Sequence, residues 1–81
     1  MEKLTKREMT VIELMIQGHD NNTIAKILHI STHTVKIHVN SILRKTFTKN
    51  RYGAVYVIAL KMIRDNYLSL DKIVHNLFPA E

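Results

Sequence analysis

Five capping residues, Thr5, Asp20, Ser31, Asn50 and Ser69, each stand at the head of a run with helical periodicity. They divide the chain into short helices and leave no stretch that alternates like a strand. Thr5 and Glu8, three residues apart, read as a capping box, with Leu4 placed to staple against Met9. Val11, Ile12 and Met15 continue the apolar face, and Gly18 ends the helix. The pattern predicts helices over residues 6–17, 21–28, 32–46, 51–65 and 70–77. Only two glycines and one proline occur in 81 residues, which supports an all-α fold over a loop-rich one. A chain this short holds one core. Residues 1–65 make the four-helix unit. Residues 66–81 are a C-terminal extension whose short helix is expected to pack on helix four.

Several classes of function fall away at once. The chain has no cysteine, so disulfide scaffolds, thiolate zinc sites and cysteine nucleophiles are excluded. The longest apolar run, residues 54–60, is too short to cross a bilayer. The N-terminus is charged and leads straight into a helix signal, unlike a secretory leader, so the expected location is cytoplasmic.

Charge is concentrated in one block. The net charge is +5. Between residues 21 and 51 stand Lys26, Lys36, Arg44, Lys45, Lys49 and Arg51, with no Asp or Glu among them. Such a block is either a solvated face or a surface for a polyanion. Helix periodicity sorts the block further. Within 32–46, His33, Lys36, Ile37, Asn40 and Arg44 share one face, while Val35, His38, Val39, Ile42 and Thr46 share the other. A short helix, a tight turn at residues 29–31 and a second helix with a basic outer face form a helix-turn-helix. The second helix of such a unit fits the major groove, and the first crosses the backbone with its N-terminal amides toward phosphate. An apolar Ile37 amid that basic face suits a thymine methyl.

The residues Leu4, Thr5, Glu8, Gly18, Ile24, Ala25, Leu28, Ile30, Ser31, Thr34, Val35, Lys36, His38, Ile42, Lys45, Asn50 and Arg51 carry a resemblance. In that order and spacing they resemble the LuxR/GerE-type helix-turn-helix domain of bacterial transcription regulators, over roughly residues 4–60. The resemblance implies base contacts from Lys36, Ile37 and Asn40. It implies phosphate contacts from Thr34 and Lys45, and also from Asn22, Thr23 and Arg44. Thr32 and His33, in the first turn of the reading helix, are further phosphate candidates. The fourth helix of such domains commonly pairs two copies. Residues 52–63 are apolar on nearly every side, and Tyr56, Ala59 and Ile63 are the outer-stripe candidates for a homodimer contact.

The chain also departs from the family pattern. Thr23 stands where the family usually carries Glu, which leaves the block wholly basic. Lys45, Thr46, Phe47 and Thr48 replace a usual Lys-Leu-Gly-Val, so a core leucine and a turn glycine are gone. Phe47 is expected to fill the gap.

The remaining candidates have plain readings. Five histidines are present, yet His33 and His38 point to different faces and nothing completes a ligand set, so no metal and no cofactor are expected. His38 reads as a packed histidine. The acids are scattered over caps and ends, and neither Ser31 nor Ser41 has a base–orienter pair, so the chain is not expected to be an enzyme. The expected function is sequence-specific binding of double-stranded DNA to regulate transcription. A homodimer reads near-palindromic sites with helix 32–46 in the major groove. The alternative is a protein-interaction module that binds another regulator or RNA polymerase. The start at Met1 favours a free-standing regulator over the output domain of a longer chain.

Overall fold

The backbone closes each helix where side-chain chemistry provides for it. The computed structural model describes residues 2–65, and among them it has four helices and no strand: α1 (Lys6–Ile16), α2 (Asn21–Leu28), α3 (Thr32–Thr46) and α4 (Arg51–Arg64). The expected helix 70–77, and its packing on helix four, lie outside the described residues.

All four starts are capped as their sequences require. Thr5 Oγ1 accepts from the Glu8 amide at 3.1 Å, and the Thr5 amide donates to Glu8 Oε1 at 2.9 Å, which completes the capping box. Asp20 accepts from the Thr23 amide, Ser31 from the Thr34 amide and Asn50 from the Gly53 amide, at 2.8, 3.0 and 3.0 Å. Each bond satisfies one donor that the first turn leaves open.

The first three helices end alike. Past each end one residue turns left-handed: Gly18 at φ 91°, His29 at φ 56° and Phe47 at φ 56°. Amides then reach back to the last carbonyls, from Gly18 to Met15 and from His19 to Leu14. The same pair of bonds follows α2, from His29 to Lys26 and from Ile30 to Ala25, and α3, from Phe47 to Arg44 and from Thr48 to Leu43. These are Schellman closures, and glycine suits the left-handed position because it has no Cβ. Only the first of the three has it.

Phe47 does not fill the gap left by the missing leucine. Phe47 takes the turn position, and its ring is 80% exposed, so it fills no core gap. A side chain at that left-handed position leaves the helix toward solvent. The place of the missing leucine goes to Thr46, which is buried. Its hydroxyl donates to the Ile42 carbonyl at 2.8 Å and lies 2.8 Å from Thr48 Oγ1, so the buried polar group is satisfied.

The core is contributed by every helix. Val11, Ile12, Ile24, Val35, Ile42 and Ala54 are fully buried. Helix α3 packs against α1, α2 and α4, so its inner face is fixed from three sides. Helix α4 buries Ala54, Ile58, Ala59 and Met62 and leaves Tyr52, Tyr56 and Leu60 exposed. Gly53 lets α4 pass close to the preceding loop, since a Cβ there would stand 3.2 Å from Thr48 Cβ and press on it.

Candidate nucleic-acid interface

Helix α3 is held on the core by Val35, Val39 and Ile42, one apolar residue per turn. Its opposite face is therefore presented to solvent. Lys36, Ile37 and Asn40 are exposed there, as are His33 and Arg44. Ile37 is 54% exposed, an apolar side chain set in the middle of a polar and basic surface.

The starts of α2 and α3 are tied together. Thr32 Oγ1 donates to Asn22 Oδ1 at 3.1 Å, across ten residues of sequence. Asn22 and Thr32, with Lys26, His29 and Ser31, line an open recess at the α2–α3 junction. Thr23 and Thr34 are half-buried beside their caps, and Thr34 Oγ1 lies 2.8 Å from Ser31 Oγ. The structure thus gathers Asn22, Thr23, Thr32, His33 and Thr34 at two adjoining helix starts, where amide hydrogens favour an anion.

Two of the cations in the basic block are engaged inside the domain. Lys45 Nζ stands 2.7 Å from Glu8 Oε1, and the two side chains are only 14% and 6% exposed. Lys45 therefore does not share the open situation of Lys36 and Arg44. Arg51 donates to Asn21 Oδ1 at 2.8 Å and to the His19 carbonyl at 2.9 Å, which pins α4 to the start of α2. Lys26, Lys36, Arg44 and Lys49 are exposed.

Glu8 does more than close a capping box. Its carboxylate also accepts from the Ser41 hydroxyl and from Lys45, 33 and 37 residues away. Burial pushes this carboxyl up, but hydrogen bonds from Lys45, Ser41 and the Thr5 amide, with the Lys45 charge, outweigh it. The result is a pKa lowered from 4.5 to about 2. Asp20 is also held below its ordinary range, chiefly by the Thr23 amide. His38 is half-buried on the flank of α3. Among the described residues no group of three or more His, Asp or Glu side chains could hold a metal ion. No described helix is long and apolar enough to cross a membrane.

The apolar surplus of α4 is distributed differently from the stripe read off the sequence. Tyr56 is 67% exposed and Ile63 is half-buried, but Ala59 is 7% exposed. Ala59 lies at the floor of an open groove of about 690 Å³ between the end of α1 and α4, which Met15, Val55, Tyr56, Leu60 and Ile63 also line. Tyr52 and Leu60, one turn to either side of Tyr56, complete the exposed apolar ridge.

Comparison with known proteins covers most of the described residues. Residues 2–58 match the family described as "Bacterial regulatory proteins, luxR family". The nitrate/nitrite response regulator protein NarP of Escherichia coli K12 is 43% identical over 51 residues, covering 63% of this chain and 24% of that protein. The response regulator protein VraR of Staphylococcus aureus NCTC 8325 is 44% identical over 54 residues, covering 67% of this chain and 26% of that protein. The VraR of Staphylococcus epidermidis matches to the same extent. The chain thus spans about a quarter of the length of these relatives. No solved structure matches it significantly.

Proposed function

Since the chain belongs to the luxR family of bacterial regulatory proteins, we propose that it regulates transcription by binding specific double-stranded DNA as a homodimer, with α3 in the major groove. The observation that carries this reading is the outward face of α3. Lys36, Ile37 and Asn40 stand exposed together on a helix whose other face is locked into the core. Lys36 donates to guanine acceptors, Asn40 pairs with an adenine edge and Ile37 meets a thymine methyl. Asn22, Thr23, Thr32, His33, Thr34 and Arg44 set the register against phosphate. Lys45 is left out of that set, because it is bonded to Glu8. The reading needs no cofactor, no metal and no catalytic step, and it sets the protein in the cytoplasm with the DNA.

Two copies join through the ridge of Tyr52, Tyr56 and Leu60, with Ile63 beside it. An isologous contact of this kind makes the binding site near-palindromic, with half-site centres one helical turn or a multiple apart.

The test is selection of bound sites from a random duplex pool, followed by titration of the selected duplex at several salt concentrations. Two to four phosphates neutralised per subunit give a dimer a log–log salt slope on the order of −4 to −7. Lys36→Ala and Asn40→Ala each relax preference at their own base pair by about 1–3 kcal/mol. A slope near zero would reject DNA binding in favour of a protein-interaction module for another regulator or RNA polymerase. Sedimentation of the full chain, and of a form ending at Asn66, on the selected duplex reads the stoichiometry and the role of the extension.

A further inference from the structure

We infer that Glu8 is a specificity-determining residue which acts from inside the domain: its carboxylate withholds Lys45 from the DNA backbone and, through Ser41, positions Arg44. The inference rests on the DNA-binding reading above and adds a division of labour among the basic residues.

Helix α3 carries two adjacent cations, Arg44 and Lys45, in its last turn. They point to different neighbours. Arg44 is exposed. Lys45 turns back to α1, where its ammonium stands 2.7 Å from Glu8 Oε1 with most of its side chain covered. A cation already neutralised at that distance releases no counterion when DNA arrives, so it contributes nothing to the salt dependence of binding. Breaking the pair to reach a phosphate would strand a buried carboxylate, which is costly. Glu8 therefore keeps Lys45 internal.

The same carboxylate reaches Arg44 by one relay. The second oxygen of Glu8 accepts from the Ser41 hydroxyl. With its proton committed there, Ser41 Oγ turns its lone pairs outward, and Arg44 Nη2 approaches it at 3.4 Å. Three residues of one helix are thus ordered by a single acid on another. An exposed arginine with a preferred orientation anchors a fixed register, whereas a loose lysine beside it would strengthen binding to any sequence. The acid that does this lies outside the acid-free stretch of residues 21–51 and reaches it only through folding.

The experiment compares the parent chain with Lys45→Met, Arg44→Met, Glu8→Gln and the double variant Glu8→Gln/Lys45→Met. Each is titrated with the selected duplex and a random duplex across 50–200 mM salt, after circular dichroism has established that it is folded. Arg44→Met is expected to flatten the slope by about 0.9 per subunit, or about 1.8 for the dimer, a change of about 12-fold in the affinity lost across that salt range. Lys45→Met is expected to leave the slope within about 0.3 of the parent. Glu8→Gln keeps an N3 side chain able to cap but sets Lys45 loose. It should steepen the slope by about 0.9 per subunit and tighten random-duplex binding, so that specificity falls. The double variant should return to the parent slope. If Lys45→Met flattens the slope as much as Arg44→Met does, the inference is overturned while DNA binding stands. If the parent itself shows no salt-dependent binding, the functional reading fails and takes the inference with it. Should Glu8→Gln not fold, the Lys45→Met and Arg44→Met slopes decide the question.

Discussion

Replacing Phe47 with glycine should make the domain more stable, although it deletes a whole aromatic side chain. The backbone at Phe47 is left-handed, at φ 56° and ψ 39°. A residue with a Cβ pays about 1–2 kcal/mol for that conformation. Glycine escapes this cost but loses more freedom on folding, by about 0.5–1 kcal/mol. The ring is 80% exposed, so its removal forfeits little burial. The balance is a gain of about 0.5–1 kcal/mol, or about 2–8 °C in Tm for a domain of this size. Phe47→Ala is the control, because it removes the ring and keeps the Cβ, and its Tm should hardly change. The same reasoning inverts at Gly18, where φ is 91° and nothing stands within 4 Å of a built Cβ. There Gly18→Ala should cost more than about 1 kcal/mol on backbone grounds alone. Thermal and urea melts followed by circular dichroism measure all three. A loss of stability in Phe47→Gly would mean that the ring is covered in solution. An equal gain in Phe47→Ala would mean that the backbone conformation is not the cause. Either result refutes the argument.

Other outcomes follow from the remaining contacts. The folded-state pKa of Glu8 lies near 2, below its unfolded value of 4.5, so its contribution is complete above about pH 5 and is lost as pH falls toward 2. Urea melts from pH 6 to pH 2 should show the parent losing about 3 kcal/mol more than Glu8→Gln. Ser31→Ala removes the acceptor for the Thr34 amide at the start of α3 and should cost about 1 kcal/mol in the same melts. Tyr56→Lys sets a charge at the centre of the exposed ridge on α4. It should shift the full chain toward monomer in sedimentation while changing the stability of the monomer itself by no more than about 0.5 kcal/mol. An unchanged association constant would remove the ridge from the dimer contact.

Whatever depends on neighbours three or four residues apart is legible in the chain's own letters. The caps at Thr5, Asp20, Ser31 and Asn50 are i to i+3 hydrogen bonds, so residue type and spacing suffice to place them. The helix bounds follow, differing from the structure by one residue at the ends of α1 and α4. The split of α3 into an apolar and a basic face follows from its period. The remaining features came only with packing. Lys45, expected at phosphate, stands in an ion pair because α1 brings Glu8 alongside from 37 residues away. Arg51 found its partners at the start of α2 and just before it, 30 and 32 residues back. Helix α4 is apolar all round, and periodicity cannot say which side of such a helix is covered. The positions of α1 and α3 settled that, burying Ala59 and leaving Tyr52, Tyr56 and Leu60 outside. Phe47 belongs to both levels. Its place one residue past a helix end is local, but its exposure depends on Thr46 occupying the core position, with the Ile42 carbonyl and Thr48 satisfying its hydroxyl. Local hydrogen bonds are written in adjacent letters of the chain, whereas burial is a property of what arrives from elsewhere.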